Sequence, residues 1–277
     1  MTERVLLAGC GDLGLRVARQ LLDRGDLVWA LRRTPRTDEA LGIHWLRADL
    51  CQPESLRDMP LGITRLVYLP APDQRDESAY RATFIDGLRH LLQALDAQAL
   101  RRVLLVSSTA VYGAHGGEWV DETTAPAPPG FNGKTLLEAE RWLAAQSVPS
   151  VTLRLAGLYG PGRLQLVERL RTGRVRVPRG HPHWANRIHV DDAAAAITHL
   201  LALPAPQSLY LGVDDTPLPL DVLYDELARL AGAPLPAEGP APAGIGSKRL
   251  GNARLRASGW VPQWPDSRAG YAALLDN

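Results

Sequence analysis

Cysteine and lysine are both scarce in this 277-residue chain: two of each, Cys10 and Cys51, Lys134 and Lys248. Two cysteines cannot build a multi-disulfide secreted scaffold. Nearly all of the 31 basic residues are therefore arginines, balanced by 30 acidic ones for a net charge of +1. That balance gives no bulk attraction to nucleic acid or to an acidic membrane surface. Long apolar runs are missing too. The longest, Ala193 to Leu203, is interrupted by Thr198 and His199 and falls short of the roughly 20 residues that a membrane span needs. Leu7-Ala8-Gly9-Cys10 looks like a lipoprotein cleavage box, but the apolar stretch before it is too short for a signal peptide. The expectation is a soluble cytoplasmic protein. With 45% hydrophobic residues the chain has enough apolar content for a real core.

Short β-rich runs alternate with helical patterns over the first two-thirds of the chain. The runs are Arg4–Ala8, Leu27–Leu31, Ile43–Arg47, Arg65–Leu69, Val103–Ser107 and Val151–Leu155. Helical patterns cover Leu13–Arg24, Ala79–Ala97 and Lys134–Gln146. In the last of these, Leu136, Leu137, Ala139, Trp142 and Leu143 form the apolar face, and Glu138, Glu140 and Arg141 count as polar. This alternation predicts an α/β fold with a Rossmann-like, doubly wound parallel sheet. Runs such as Val103-Leu104-Leu105-Val106 are apolar throughout, as strands covered on both faces are. Further helices are predicted near Leu164–Arg171, Asp191–Leu203 and Leu220–Ala231, a strand at Leu209–Leu211, and a loop over Ala233–Gly246. The expected division is a dinucleotide-binding domain over 1–163, completed by the strand near 208–212, and a small interleaved C-terminal cap over 164–277.

Val5 to Gly14 reads as a strand, a Gly-x-Gly-x-x-Gly turn and a helix start. Gly9 permits the tight turn, Gly11 the approach of backbone to a pyrophosphate, and Gly14 close helix packing. Asp12 and Leu13 open the helix, whose N-terminal amides favour an anion. The second strand ends in Arg32 and Arg33, with Arg32 18 residues after Gly14 and no acidic residue nearby. A carboxylate there would hold the ribose hydroxyls of NAD; a guanidinium pairs instead with a 2′-phosphate. The pattern favours NADP over NAD. Asp49 and Leu50 after the third strand are candidates for the adenine edge, and Asp49 is also an ordinary turn former. Pro70 and Ala71, just beyond the fourth strand, complete the cofactor candidates.

Several further segments accompany the turn: Val106-Ser107-Ser108-Thr109-Ala110-Val111-Tyr112-Gly113, Val120-Asp121-Glu122-Thr123 and Leu137-Glu138-Ala139-Glu140. Leu153 to Gly162 and Ile188-His189-Val190-Asp191-Asp192-Ala193 follow. In order and spacing, from residue 4 to about 200, the chain resembles the extended short-chain dehydrogenase/reductase superfamily, in its NAD-dependent epimerase/dehydratase branch. The resemblance implies a dinucleotide held by the sheet, with Ser107 and Leu155 lining the nicotinamide end and a small-molecule substrate under the cap. It also implies a homodimer through helices packed side by side.

Active members of that superfamily use a Ser/Thr, a Tyr and a Lys four residues after the Tyr. Thr109 matches the first. Alignment on Leu137–Glu140 puts Asn132 at the Tyr position and Leu136 at the Lys position. The residues four before Lys134 and Lys248 are Gly130 and Gly244, so the chain has no Tyr-x-x-x-Lys anywhere. An amide cannot exchange a proton near neutral pH as a tuned phenol can. Tyr112 and His115 are the nearby substitutes, although a Tyr in Val-Tyr-Gly usually packs and a loop His usually faces water. Arg187 and His189 stand where the resembled family places cap residues that face substrate. The arginine that holds phosphate in nucleotide-sugar enzymes is displaced or missing. Ser247-Lys248-Arg249 is either a solvated basic stretch or the seat of an anionic substrate group, while Trp260 and Trp264 are expected to pack the tail. His181, His183 and His189 have no accompanying cysteine and are not read as a metal site. Two functions stay open: an NADP-dependent oxidoreductase or epimerase with non-standard acid/base residues, and a non-catalytic module sensing NADP(H).

Overall fold

The computed structural model describes residues 2–34, 42–242 and 244–276. Its main sheet has seven strands: β1 (Arg4–Ala8), β2 (Leu27–Arg32), β3 (His44–Arg47), β4 (Arg65–Tyr68), β5 (Arg102–Ser108), β6 (Ser150–Leu155) and β7 (Leu209–Gly212). They lie in the order β7-β6-β5-β4-β1-β2-β3, with β1 parallel to both β2 and β4. The apolar runs are buried as their composition demands: Val5, Leu6, Leu7, Val103, Leu104 and Leu105 are all enclosed. This is the predicted Rossmann-like α/β architecture. Its direction of winding reverses between β1 and β4, and the carboxyl ends of two such strands are where open α/β sheets take their ligands.

The chain falls into two compact units. The first comprises 1–111, 130–154 and 194–210; the second comprises 112–129, 155–193 and 211–277. The interleaving is deeper than a boundary near residue 163: segments 112–129 and 155–163 join the second unit, and 194–210 joins the first.

In the first unit, α1 (Asp12–Asp23) buries Leu13, Gly14, Val17, Ala18 and Leu21. The helical pattern read as Ala79–Ala97 is three segments: α2 (Glu77–Arg81), a π-turn over Ala82–Asp86, and α3 (Gly87–Ala94). The interruption has a physical origin in Tyr68. Its buried hydroxyl donates to the Thr83 carbonyl at 2.5 Å, taking that oxygen in the middle of the π-turn. Helix α4 (Phe131–Ala144) buries Leu136, Leu137, Ala139 and Leu143, and also Glu140, which was expected on its polar side. Glu140 lies four residues after Leu136 and three before Leu143, squarely on the apolar stripe. It is held there by Arg154 of β6, whose Nη2 donates to Oε2 at 2.6 Å, and by Ser107 of β5, whose Oγ donates to Oε1 at 2.5 Å. Arg102, also buried, closes the C-terminal end of α6 (Val190–Ala202), donating to the carbonyls of Leu200, Leu201, Leu203 and Pro204. A cation suits that end of the helix dipole.

The second unit has its own core. Val167 and Leu170 of α5 (Gln165–Arg171) pack with Leu223, Leu227 and Ala228 of α7 (Leu220–Leu230), and with Tyr159 and Tyr271. Within the stretch expected to be loop, Ala237–Glu238 forms a short strand against Arg176–Val177. Asp192 accepts from the backbone of Gln263 at 2.7 Å and Trp264 at 2.9 Å, fastening the C-terminal segment. Asp214 is 2% exposed, and among the described residues its Oδ2 has no hydrogen-bond partner. Burial pushes its carboxyl up to about 8, and Asp266 and Asp215 push the same way. Asp214 therefore keeps its proton at neutral pH.

The unfolded chain releases that proton near pH 4. Stability from this group is complete below pH 4 and is lost as pH rises toward 8. Replacing Asp214→Asn keeps the neutral shape and removes the loss. Urea unfolding should find the variant more stable than the parent by about 2 kcal/mol or more at pH 8, converging toward pH 4. Parallel curves across that range would show that Asp214 is ionised when folded.

Candidate functional site

The turn after β1 is built around one close approach. Gly9 has φ +87°, and a Cβ there would lie 2.3 Å from Cα of Pro70, the second residue after β4. Only glycine satisfies both the left-handed backbone and that distance. The amides of Gly9 and Cys10 donate to the Leu31 carbonyl at the end of β2. Gly11 stands at the N-cap of α1 and, having no side chain, makes no side-chain cap hydrogen bond to the first turn. A Cβ at Gly11 would meet nothing within 4 Å, and one at Gly14 would lie 3.0 Å from Sγ of buried Cys10. The three glycines thus differ: Gly9 is needed by Pro70, Gly14 by Cys10, and Gly11 by nothing in the chain. The open space over Gly11, at the positive end of the α1 dipole, fits an anionic pyrophosphate.

Beyond β2, Arg32, Arg33 and Thr34 line an open recess of about 370 Å³. Arg33 forms a two-pronged ion pair with Asp73, which follows Ala71 in the loop after β4. The paired guanidinium holds the Asp73 carboxyl below its usual range. Among the described residues Arg32 has no ion pair. Asp49 accepts the Cys51 amide at 2.9 Å, forming a turn with one carboxylate oxygen, and Leu50 is buried with its carbonyl 3.1 Å from His90 Nδ1. Ala71 is exposed.

The residues aligned with the family's catalytic positions lie at the end of β5 and the start of α4. Thr109 begins a one-turn 3₁₀ helix, Thr109–Val111, and Asn132 is the second residue of α4. Both side chains are half-buried and, among the described residues, neither has a hydrogen-bond partner. Leu136, at the lysine position, is 4% exposed, whereas Lys134 faces solvent two residues away. Asn132, Leu136 and Glu140 form one stripe of α4 at four-residue spacing. Ser107, expected to line the nicotinamide end, donates its hydroxyl to Glu140.

In the second unit the expected side chains are largely engaged. The Tyr112 hydroxyl donates to the Asp121 carbonyl at 3.0 Å and the residue is 1% exposed, a packing role. His189 is 2% exposed, its ring edge-on to Tyr159 at 5.1 Å and tilted against Trp264 at 5.3 Å, with Nδ1 accepting the Asp191 amide. Arg187 is half-buried; its Nη2 donates to the Tyr224 hydroxyl at 3.4 Å, and glycine at 157 makes room for its Nη1. Leu155 ends β6 and is 5% exposed. Lys248, also buried, points its amine at the carbonyls of Tyr112, Gly113 and Gly246, and burial lowers its affinity for the proton. Among the described residues no three His, Cys, Asp or Glu side chains gather as a metal set, and no helix is long and apolar enough to cross a membrane.

The model of the NAD dependent epimerase/dehydratase family matches residues 5–212. The chain belongs to that family. It is 31% identical over 239 residues to Protein YeeZ of Escherichia coli K12, covering 83% of this chain and 84% of that one. A 3-diazoavenalumate denitrifying reductase of a Streptomyces species is 30% identical, covering 96% and 98%. A solved structure from Methylobacillus flagellatus, described as an NAD-dependent epimerase/dehydratase, superposes with a TM-score of 0.84 at 40% identity, covering 100% and 98%.

Sequence reasoning missed Asp73, Glu140 and Arg154. The last two carried a signal: a glutamate in phase with the apolar stripe of α4 and an arginine inside an apolar strand each call for a buried partner. Asp73 gave none. The different roles of the glycines lead to a test. Gly9→Ala should fail to fold stably, while Gly11→Ala should keep the thermal midpoint of the parent and bind dinucleotide at least about tenfold more weakly in a nicotinamide-fluorescence titration. Unchanged affinity in Gly11→Ala would place the pyrophosphate elsewhere.

Proposed function

We propose that this family member is an NADP(H)-dependent reductase of a small organic molecule. Supporting the cofactor reading is Arg32, which among the described residues has no ion pair and stands at the end of β2 where an acidic residue would favour NAD. Asp12, Leu13 and Gly14 present the first amides of α1 to the pyrophosphate, and Gly9 with Pro70 fixes the turn. Asp49 and Leu50 border the adenine. When bound, the reduced cofactor supplies hydride.

The residues on the substrate side shape the reaction class. Thr109 donates a hydrogen bond to the substrate, and Asn132 holds a ribose or substrate hydroxyl. Neither exchanges protons near neutral pH. A ketone accepting hydride becomes an alkoxide and needs a proton; an electrophile that expels a leaving group on receiving hydride does not. Loss of the Tyr–Lys pair is compatible with the second class, and the Streptomyces relative is, by its name, a reductase of a diazo compound. Within the second unit, Arg187 donates to the Tyr224 hydroxyl and His189 supports the aromatic cluster of Tyr159 and Trp264. The same loss supports a second reading, a module that binds NADP(H) without turnover.

One set of measurements separates these readings. NADPH should bind at least about tenfold more tightly than NADH, and Arg32→Ala should remove that preference, the worth of one charge-assisted phosphate contact. Asp73→Asn should strengthen NADPH binding several-fold, because its carboxylate competes with the 2′-phosphate for Arg33 and adds a like charge. Absorbance of the reduced nicotinamide, followed with a panel of carbonyl, sugar and leaving-group electrophiles, then reads turnover. Equal affinities for the two cofactors would overturn the NADP assignment, and binding with no turnover on any substrate would favour the sensing module.

A further inference from the structure

The basic stretch near the C-terminus holds a second binding feature in the second unit. Arg249 begins the short strand Arg249–Leu250, paired in register with Trp119–Val120. Its backbone is fixed on every side. The Arg249 amide donates to the Glu118 carbonyl at 2.9 Å; Asn186 donates to the Lys248 carbonyl at 3.0 Å and accepts the Leu250 amide at 2.8 Å. The side chain is fixed as well. Nε donates to the Gly117 carbonyl at 2.7 Å, and the guanidinium carbon lies 5.2 Å from the centre of the Trp119 ring and 5.0 Å from that of Trp184. Trp184 is itself held: its amide donates to Ser247 Oγ, and a Cβ at Gly117, φ +86°, would lie 3.0 Å from its Nε1.

Arg102 spends both of its terminal nitrogens on carbonyls. Arg249 does not: among the described residues its two terminal nitrogens have no partner, and the residue is half-buried. Two aromatic faces replace part of its water and fix its plane, leaving the fork of N–H groups already ordered. Beside it, the Trp119 indole is 57% exposed. An ordered fork matches the two oxygens of a carboxylate, and an exposed indole next to it matches a flat apolar ring.

We propose that Trp119, Trp184 and Arg249 form a binding site for a planar aromatic carboxylate, with the acid on the Arg249 fork and the ring against Trp119. The assignment does not depend on the dinucleotide reading, since every residue involved belongs to the second unit.

Calorimetric titration of the full chain with cinnamate tests it, with cinnamide and cyclohexanecarboxylate as probes lacking the charge and the aromatic ring. Cinnamate should bind with a Kd below about 1 mM, and each of the other two at least about tenfold more weakly. Arg249→Gln and Arg249→Lys should each weaken cinnamate about tenfold or more, because lysine keeps the charge but not the fork. Trp119→Ala, a change at an exposed side chain, should weaken it several-fold and leave NADPH affinity unchanged. Consumption of NADPH with cinnamate-type acids bound would mark the ligand as substrate, and binding without consumption as effector; either supports the site. No cinnamate binding by the parent, or equal binding by the Arg249 and Trp119 variants, would overturn it.

Discussion

The backbone contact between Gly9 and Pro70 is the constraint on which the dinucleotide-binding half depends. It exists because β1 and β4 are neighbours although their carboxyl ends, Ala8 and Tyr68, which pair in register, lie 60 positions apart in the chain. At this reversal of winding, the loops after the two strands meet over the sheet edge. One of them must be free of side-chain bulk, and the other brings a proline whose ring is rigid. Once Gly9 turns in the left-handed region, the chain enters α1 with open space over Gly11. The shape of the turn is thus a consequence of strand order as much as of glycine content.

The rest of the first unit shows what happens when a family's catalytic pair is lost but its scaffold is kept. The stripe of α4 that begins at Asn132 continues through buried Leu136 to Glu140. Leucine at the second position turns a face that elsewhere in the superfamily carries an amine into ordinary core. Glu140 then ties the helix to β5 and β6 through Ser107 and Arg154. Such a buried pair is strongly unfavourable to break from one side, because the remaining charge has no water to solvate it. This network holds the helix in register against β5 and β6.

Much of this was legible in advance. The seven main strands and the principal helices fall within a few residues of their predicted places, because fully apolar short runs and four-residue periodicity are local signals. The tight strand-to-helix turn was readable from three glycines, and the absence of a Tyr-x-x-x-Lys from two lysines. Less was readable where a side chain's partner lies far along the chain. Glu140 looked polar in a list of helix residues and is buried; Ser107 looked like a ligand contact and is a donor to that glutamate. Arg33 looked equivalent to Arg32, and Asp73 claims only one of them. Tyr68 broke a helix that its own sequence would have continued.

The sequence alone determined the sheet, the order of its elements, the phosphate-binding turn and the absence of a Tyr-x-x-x-Lys, all of which depend on neighbours within a few residues. Tertiary structure decided which charges are buried in pairs, which arginine stays available, and how the chain interleaves into two units. It also decided that Asp214 holds its proton and that Arg249 stands ordered beside two tryptophans. These outcomes turn on desolvation and on the distance between charges, and both are set only when remote segments pack together.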